Sequence, residues 1–327
     1  MQQLSISNTD LTPSQICLGA GNFGATIPQA DAFTLMDAFV DLGGNFLDTA
    51  HVYANWIPTL PRSISEKTIG AWMKVRGNRS RILIGTKGAH PDLATMHISR
   101  LMPRDIVQDL HESLQHLQTD IIDLYWLHRD DPTRPVGEIV ETLATQVQAG
   151  KIRAFGCSNW STARMQAALD YAQAHGIQGF VANQPMWSLA QPNPAAFGMP
   201  GLAAMDREML AFHQQNDWAV IPYTSQARGF FSKVAEKGMA GLSERDRQAY
   251  WNAENERRST LVQRLSNEMH ATPAQIALAY LLCQPVTTIP VVGCRTLEQL
   301  QDSVRAADLR LQPEEIASLA QVQILVR

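Results

Sequence analysis

The stretch IIDLYWLHRDDPTRPVGEIVETLATQVQAGKIRAFGCSNW, residues 121–160, decides the fold. It opens with an apolar run that stops at His128 and passes through a turn rich in Pro and Asp. It continues from Val136 to Ala149 with apolar residues at helical spacing and closes on a second short run from Ala154 to Ser158. Strands of a parallel sheet are buried on both faces and so read as continuous apolar runs, whereas the connecting helix shows a 3.6-residue period. The stretch is therefore one strand–helix–strand unit.

The same rhythm extends in both directions. Apolar runs fall at Ile16 to Gly19, Asn45 to Asp48, Ile82 to Lys87, Phe180 to Gln184, Ala219 to Thr224 and Thr288 to Val292, which with the two above make eight. Helical patterns separate them, among them Pro103 to Leu117, Thr162 to His175 and Leu297 to Val304, and Ser161 and Thr296 stand where they can cap the last two. Alternating units of this kind predict an α/β fold, a (β/α)8 TIM barrel, with the whole chain, 1–327, as one domain and long loops at the C-terminal face. The segment from Gln226 to Arg258 reads as a long functional loop after the seventh strand.

Composition narrows the partners. The 327 residues are 45% hydrophobic and 18% charged, with a formal net charge of −4. That is ample material for a core, without the basic footprint of a nucleic-acid or anionic-membrane binder. The opening MQQLSISNTD has neither a basic region nor an apolar run, and no apolar stretch is long enough to span a bilayer, so a cytoplasmic protein is expected. Cys17, Cys157, Cys283 and Cys294 form no CxxC and no zinc pattern, and read as small buried hydrophobes in a reducing compartment. No metal is expected.

Asp48, Lys87 and His128 each end an apolar run, so the fold carries them to the top face, where barrel enzymes keep their sites. Tyr53 follows Asp48 closely enough for one loop to return its hydroxyl over the barrel mouth. A phenol with an ordinary pKa of about 10 is a weak acid at neutral pH unless a nearby cation favours its phenolate. Lys87 supplies that cation, Asp48 holds it, and His128 orients a carbonyl oxygen near the hydroxyl.

These segments also carry a resemblance. NFLDTAHVY (45–53), GTK (85–87) and DLYWLH (123–128) resemble the aldo-keto reductase segments that hold the catalytic aspartate, tyrosine, lysine and histidine. GKIRAFGCSNW, ANQPMWSL, IPYTSQARGFF and IPVVGCRTLEQL resemble, in order and spacing, the family's cofactor-binding segments, so the likeness covers nearly the whole chain. It implies NADPH-dependent carbonyl reduction with Tyr53 as proton donor and Asp48, Lys87 and His128 beside it. It also implies an N-terminal hairpin, up to about Leu11, closing the barrel bottom.

For the cofactor, the resemblance assigns Ser158, Asn159 and Gln184 to the nicotinamide carboxamide, with Trp187, in place of the usual tyrosine, stacked on the ring. Gly21, Asn22 and Asp48 lie near the nicotinamide, and Tyr223, Thr224, Ser225, Gln226, Arg228 and Gly229 surround the pyrophosphate. Gly293, Cys294, Arg295, Gln299 and Ser303 take the adenosine end, where Arg295 can pair with a 2′-phosphate. NADPH is thus preferred and NADH admissible. Tyr53, Trp56, His128, Arg129 and Trp251 are the candidate substrate residues, in loops shared with Asn252, Arg257 and Arg258. Aromatic faces beside polar forks suit a polar carbonyl compound such as a sugar aldehyde.

Two other readings compete. A regulatory or redox-sensing barrel subunit that docks on a partner protein would keep the cofactor without turnover, which the complete tetrad argues against. Gly19, Gly21 and Gly24 spell the GxGxxG of a different dinucleotide fold, but Pro28 interrupts the segment and no acidic residue closes a second strand at the expected distance.

Overall fold

The computed structural model describes residues 1–193 and 201–320. Eight strands, β1 (Cys17–Gly19), β2 (Phe46–Asp48), β3 (Leu83–Gly88), β4 (Ile122–Leu127), β5 (Ile152–Ser158), β6 (Ala182–Gln184), β7 (Ala219–Val220) and β8 (Val291–Val292), pair in parallel in the order β7-β6-β5-β4-β3-β2-β1-β8. The sheet closes on itself. Val220 donates its N–H to the Thr287 carbonyl at 2.8 Å, Ile289 to that of Val220 at 2.8 Å and Val291 to that of Pro222 at 3.0 Å. Closure leaves no sheet edge for another chain to pair with.

Helices separate successive strands: α1 (Gln29–Asp41), α2 (Ile64–Arg76), α3 (Pro103–Leu117), α4 (Val136–Gln148), α5 (Thr162–His175) and α6 (Arg207–Asn216). After β7 come α7 (Phe230–Lys237), α8 (Glu244–Tyr250), α9 (Ala253–Met269) and α10 (Pro273–Leu282), and β8 leads to α11 (Leu297–Arg305) and α12 (Pro313–Ala320). In α3, Pro103 opens the first turn and Ile106, Leu110, Leu114 and Leu117 form one buried stripe. The Ser161 hydroxyl accepts from the Arg164 N–H at 3.3 Å and that of Thr296 from the Gln299 N–H at 3.2 Å, so both expected caps form.

Inside the barrel, Phe46, Leu124, Trp126, Ala154, Ala219 and Ile289 pack with Ile6 and Leu11 of the N-terminal hairpin. A Cβ on Gly156 would stand 2.5 Å from Cζ3 of Trp126, so only glycine admits that indole. The hairpin runs to Gln15, beyond the expected Leu11, because Leu4 donates to Pro13 at 2.8 Å and Gln15 to Gln2 at 3.0 Å.

The regular part of β7 stops at Val220 rather than Thr224, and β8 begins at Val291 rather than Thr288. Pro222 and Pro290 lack the N–H that a ladder needs at those positions. The segment from Gln226 to Arg258 is not the expected long loop but is largely helical. Gly238, at φ 67°, stops α7, while the side chains of Ser243 and Asn252 accept from the N–H groups of Asp246 and Asn255 and start α8 and α9.

His213 of α6 ties the helical layer to the barrel. Only 1% exposed, it lies 3.1 Å through Nδ1 from the Trp218 carbonyl and 3.2 Å through Nε2 from the Asn183 amide nitrogen of β6. A carbonyl only accepts, so Nδ1 carries the proton, Nε2 accepts, and the ring is neutral. Burial pushes its pKa from 6.5 down to about 4. Below pH 6.5 the unfolded chain binds a proton that the native state refuses until about pH 4, so stability is complete above that window and declines through it. The loss reaches roughly 3 kcal/mol. Urea titrations from pH 7 to 4 should show that His213→Gln flattens this decline relative to the parent chain; equal slopes would contradict the assignment.

Candidate active site

Strand register places the central pair. Asp48 pairs with Gly85 across β2 and β3, and Lys87 stands two residues further along β3 on the same face. A Cβ at Gly85 would lie 3.3 Å from Oδ1 of Asp48 and 3.0 Å from Nε1 of Trp126, so the glycine leaves room for the carboxylate. Nζ of Lys87 donates to Oδ2 of Asp48 at 2.5 Å, to the Thr49 carbonyl at 2.7 Å and to the Tyr53 hydroxyl at 3.1 Å. All three ammonium protons are thereby directed, in a site where Lys87 and Asp48 are 1% and 2% exposed.

The loop bearing Tyr53 is pinned at several points. His51 donates its N–H to the Lys87 carbonyl at 2.9 Å, and the Ser63 hydroxyl donates to the His51 carbonyl at 2.7 Å. Gly21 lies against the phenol ring, its Cβ position 3.5 Å from Cε2 of Tyr53. His128 follows β4, donates its N–H to the Gly88 carbonyl at 3.0 Å, and turns its ring edge toward that of Tyr53 with centroids 5.9 Å apart. The four expected residues therefore meet.

Their electrostatics differ from expectation in one respect. Lys87 does lower the Tyr53 pKa, but burial outweighs it and Asp48 adds to the rise, so the free phenol sits above its ordinary value and stays protonated. Burial also works against the Lys87 charge, yet Asp48 and Tyr53 overcome it and hold the ammonium above its usual range. His128 is pushed well below its ordinary value by burial first, then by His90, Lys87 and Arg129. Its buried Nδ1 has no hydrogen-bond partner, and burial keeps the ring a neutral imidazole.

The remaining cofactor candidates form two groups. In the first, the Gln184 amide donates to Oδ1 of Asp48 at 3.0 Å, a link to the tetrad that sequence does not predict, and the Ser158 hydroxyl donates to the Gln184 carbonyl at 2.7 Å. Asn159, held at φ 63°, donates to the His128 carbonyl at 3.2 Å and accepts from the Tyr223 hydroxyl at 2.8 Å. Trp187, three residues after Gln184, is 3% exposed and offers little free ring face. Asn22 is exposed in the turn after β1.

In the second group, Thr224, Ala227, Arg228 and Gly229 all adopt positive φ before α7, and the turn closes on itself, Ala227 donating its N–H to the Thr224 carbonyl and Gly229 to that of Gln226, both at 2.8 Å. Gln226 donates to the Ser303 hydroxyl at 2.9 Å, Ser225 to the Val291 carbonyl at 2.5 Å, and Cys294 lies 3.8 Å from Ser303, which joins this loop to β8 and the last turn of α11. Arg295 is exposed, its backbone N–H bound to Gln299 at 2.8 Å. Asp302 is engaged elsewhere, accepting from Thr272 at 3.0 Å and Gln275 at 2.8 Å. Gly293 leaves open space where a Cβ would be.

The substrate candidates separate. Trp56 is 55% exposed and meets the Tyr53 ring edge-on, with centroids 6.4 Å apart. Trp251 instead donates to Glu256 at 2.5 Å, Asn252 caps α9, and Arg257 binds Glu254 and the Ser318 carbonyl. Arg258 is buried against Glu254 at 2.6 Å. These forks serve the helical layer and do not project toward the tetrad. His90, three residues after Lys87, was not singled out in the sequence, yet its ring packs on that of His128 with centroids 4.8 Å apart. A histidine just past a tetrad strand was the available signal.

The glycines of the GxGxxG pattern serve packing, since a Cβ on Gly19 would stand 2.8 Å from Val291 and one on Gly24 2.2 Å from Thr68. His51, Asp109 and Glu112 bring possible ligand atoms within 4.8 Å of one another. Glu112 is bonded to His51 at 2.8 Å, and Asp109 to the Arg100 guanidinium at 2.5 and 3.0 Å, so a cation there would have to displace an arginine.

Comparison with known proteins gives a consistent result. The model of the Aldo/keto reductase family matches residues 15–324. The uncharacterized oxidoreductase YrpG of Bacillus subtilis is 29% identical over 98% of this chain and 95% of its own. Norsolorinic acid reductase stcV of Emericella nidulans is 28% identical over 93% of this chain and 76% of its own. An aryl-alcohol dehydrogenase [NADP(+)] of Phanerodontia chrysosporium is 28% identical over 94% and 78%. A crystal structure of the thermostable aldo-keto reductase Tm1743 with the inhibitor epalrestat superposes with a TM-score of 0.72 at 22% identity, covering 98% of this chain and 99% of that one, a likeness of fold. Among the described residues no helix is long and apolar enough to cross a membrane.

Removing one member of the buried pair should cost more than removing both charges. Lys87→Met leaves the Asp48 carboxylate uncompensated and should destabilise the chain by about 3–5 kcal/mol. Adding Asp48→Asn to it should restore part of that loss in denaturant titrations. Additive losses would show that the two side chains are not coupled.

Proposed function

The chain belongs to the aldo/keto reductase family and is an NAD(P)H-dependent oxidoreductase, and from that premise we propose that it reduces an aldehyde or ketone to the alcohol with NADPH, Tyr53 giving the proton. The observation that carries the reading is the placement of one ammonium, that of Lys87, against both Asp48 and the Tyr53 hydroxyl. We also read the whole chain as one barrel domain working in the cytoplasm, which four cysteines without disulfides suit.

The residues fit the cofactor. The N-terminus of α7, reached through the positive-φ turn that carries Arg228, suits a pyrophosphate, the open space at Gly293 and the exposed Arg295 suit an adenosine 2′-phosphate, and Ser158, Asn159 and Gln184 border the tetrad where a nicotinamide carboxamide would need partners. When bound, NADPH supplies the hydride. Neutral His128 donates from Nε2 to the substrate carbonyl oxygen and holds it beside Tyr53. The Tyr53 hydroxyl, protonated across the neutral range, transfers its proton to that oxygen as negative charge develops. Lys87 stabilises the phenolate left behind, and Asp48 keeps the ammonium in place.

For substrate, an aromatic carbonyl compound is favoured over a sugar aldehyde. Trp56 presents an exposed indole beside Tyr53, while the polar forks of Asn252, Arg257 and Arg258 are engaged in the helical layer. Two relatives, a norsolorinic acid reductase and an aryl-alcohol dehydrogenase, point the same way.

Tyr53→Phe should lower NADPH-dependent reduction of an aromatic aldehyde by at least about 100-fold while a fluorescence titration finds NADPH binding nearly unchanged. Turnover retained in this variant would remove Tyr53 from its role. Arg295→Ala should weaken NADPH by about 10-fold or more, the value of a charge-assisted bond, and leave NADH almost unaffected. Equal loss for the two cofactors would count against a 2′-phosphate contact.

A further inference from the structure

Arg129, the residue after His128, sits at the barrel mouth without a counter-charge. Its Nε is buried and has no hydrogen-bond partner, and its Nη1 reaches only the Gly201 carbonyl at 3.3 Å. The neighbouring acid does not serve it, because Asp130 pairs with Arg164 at 3.1 Å. Asp131 turns back on Thr133, accepting from its N–H at 3.0 Å and its hydroxyl at 2.6 Å. Among the described residues no carboxylate pairs with Arg129, and the stretch 194–200 contains no acidic residue.

The groups that its charge acts on are Tyr53, Tyr223, His90 and His128, two phenols and two imidazoles held neutral by burial. The tetrad's own cation, Lys87, is already neutralised by Asp48. Burying a guanidinium with unsatisfied donors is costly, and removal from water pulls its own pKa down. A fold that leaves such a charge next to its proton donor has room for an anion from outside. The planar fork matches a carboxylate in particular.

We propose that Arg129 receives an anionic group of the substrate, so that this enzyme acts on carbonyl acids, aldehydes or ketones whose carboxylate reaches Arg129 while the carbonyl lies between His128 and Tyr53. The proposal rests on the carbonyl-reduction reading above and sharpens its substrate class. With Trp56 edge-on to the Tyr53 ring, an aromatic body joins the two ends.

The test compares 4-carboxybenzaldehyde with its uncharged isostere 4-carbamoylbenzaldehyde under saturating NADPH. The parent enzyme should favour the acid in kcat/KM by 10-fold or more, Arg129→Gln should reduce that ratio below threefold, and Arg129→Lys should fall between. A parent ratio near one, or a ratio that survives Arg129→Gln, overturns the proposal. So does an unchanged ratio with a raised Kd for NADPH, which would assign Arg129 to a cofactor phosphate. Should neither aldehyde turn over, carbonyl reduction itself fails, and the Arg129 site is decided by binding. Benzoate should then bind the NADP-loaded protein at least 10-fold more tightly than benzamide, and Arg129→Gln should erase the difference; equal affinities in the parent protein overturn the site.

Discussion

The bond between the Lys87 ammonium and the Asp48 carboxylate constrains everything around it. Two charges removed from water are tolerated only when their geometry is close and their remaining donors and acceptors are met. Here the ammonium spends its three protons on Asp48, Thr49 and Tyr53, and the second carboxylate oxygen accepts from Gln184. The pair therefore dictates a glycine at position 85, the return of the Tyr53 loop, and the rotamer of a glutamine four strands away in the barrel order.

The two hydrogen-bonding groups beside that ion pair are uncharged. Tyr53 is held protonated and His128 deprotonated, both chiefly by burial. A site of this kind presents hydrogen-bond donors to a developing oxyanion without a solvent shell to reorganise, so its dipoles act at low effective dielectric. Lys87 acts on the phenol in the expected direction but burial outweighs it, because a sequence carries the partner's identity and not the depth at which both are buried.

Much of the architecture was legible. Strand positions followed from apolar runs, and Asp48, Lys87 and His128 followed from standing at their ends, since a closed parallel barrel brings all such ends to one face. What escaped depends on direction in space. Nothing in the sequence says that Gln184 turns toward Asp48, that Asp302 faces Thr272 and Gln275 rather than the 2′-phosphate region, or that Arg258 turns inward to the Leu189 carbonyl. The helices within 226–258 were missed for another reason: short amphipathic pieces broken by Gly238 and capped by Ser243 and Asn252 look like loop composition until their caps are read singly.

Neighbouring residues on β6 point to opposite faces. Asn183 faces outward to His213 of the helical layer, and Gln184 faces inward to Asp48. One peptide unit thus joins the most acid-sensitive contact of the outer shell to the ion pair at the centre. A proton taken up by that histidine would cost Asn183 its acceptor, one residue from the glutamine that bonds Asp48.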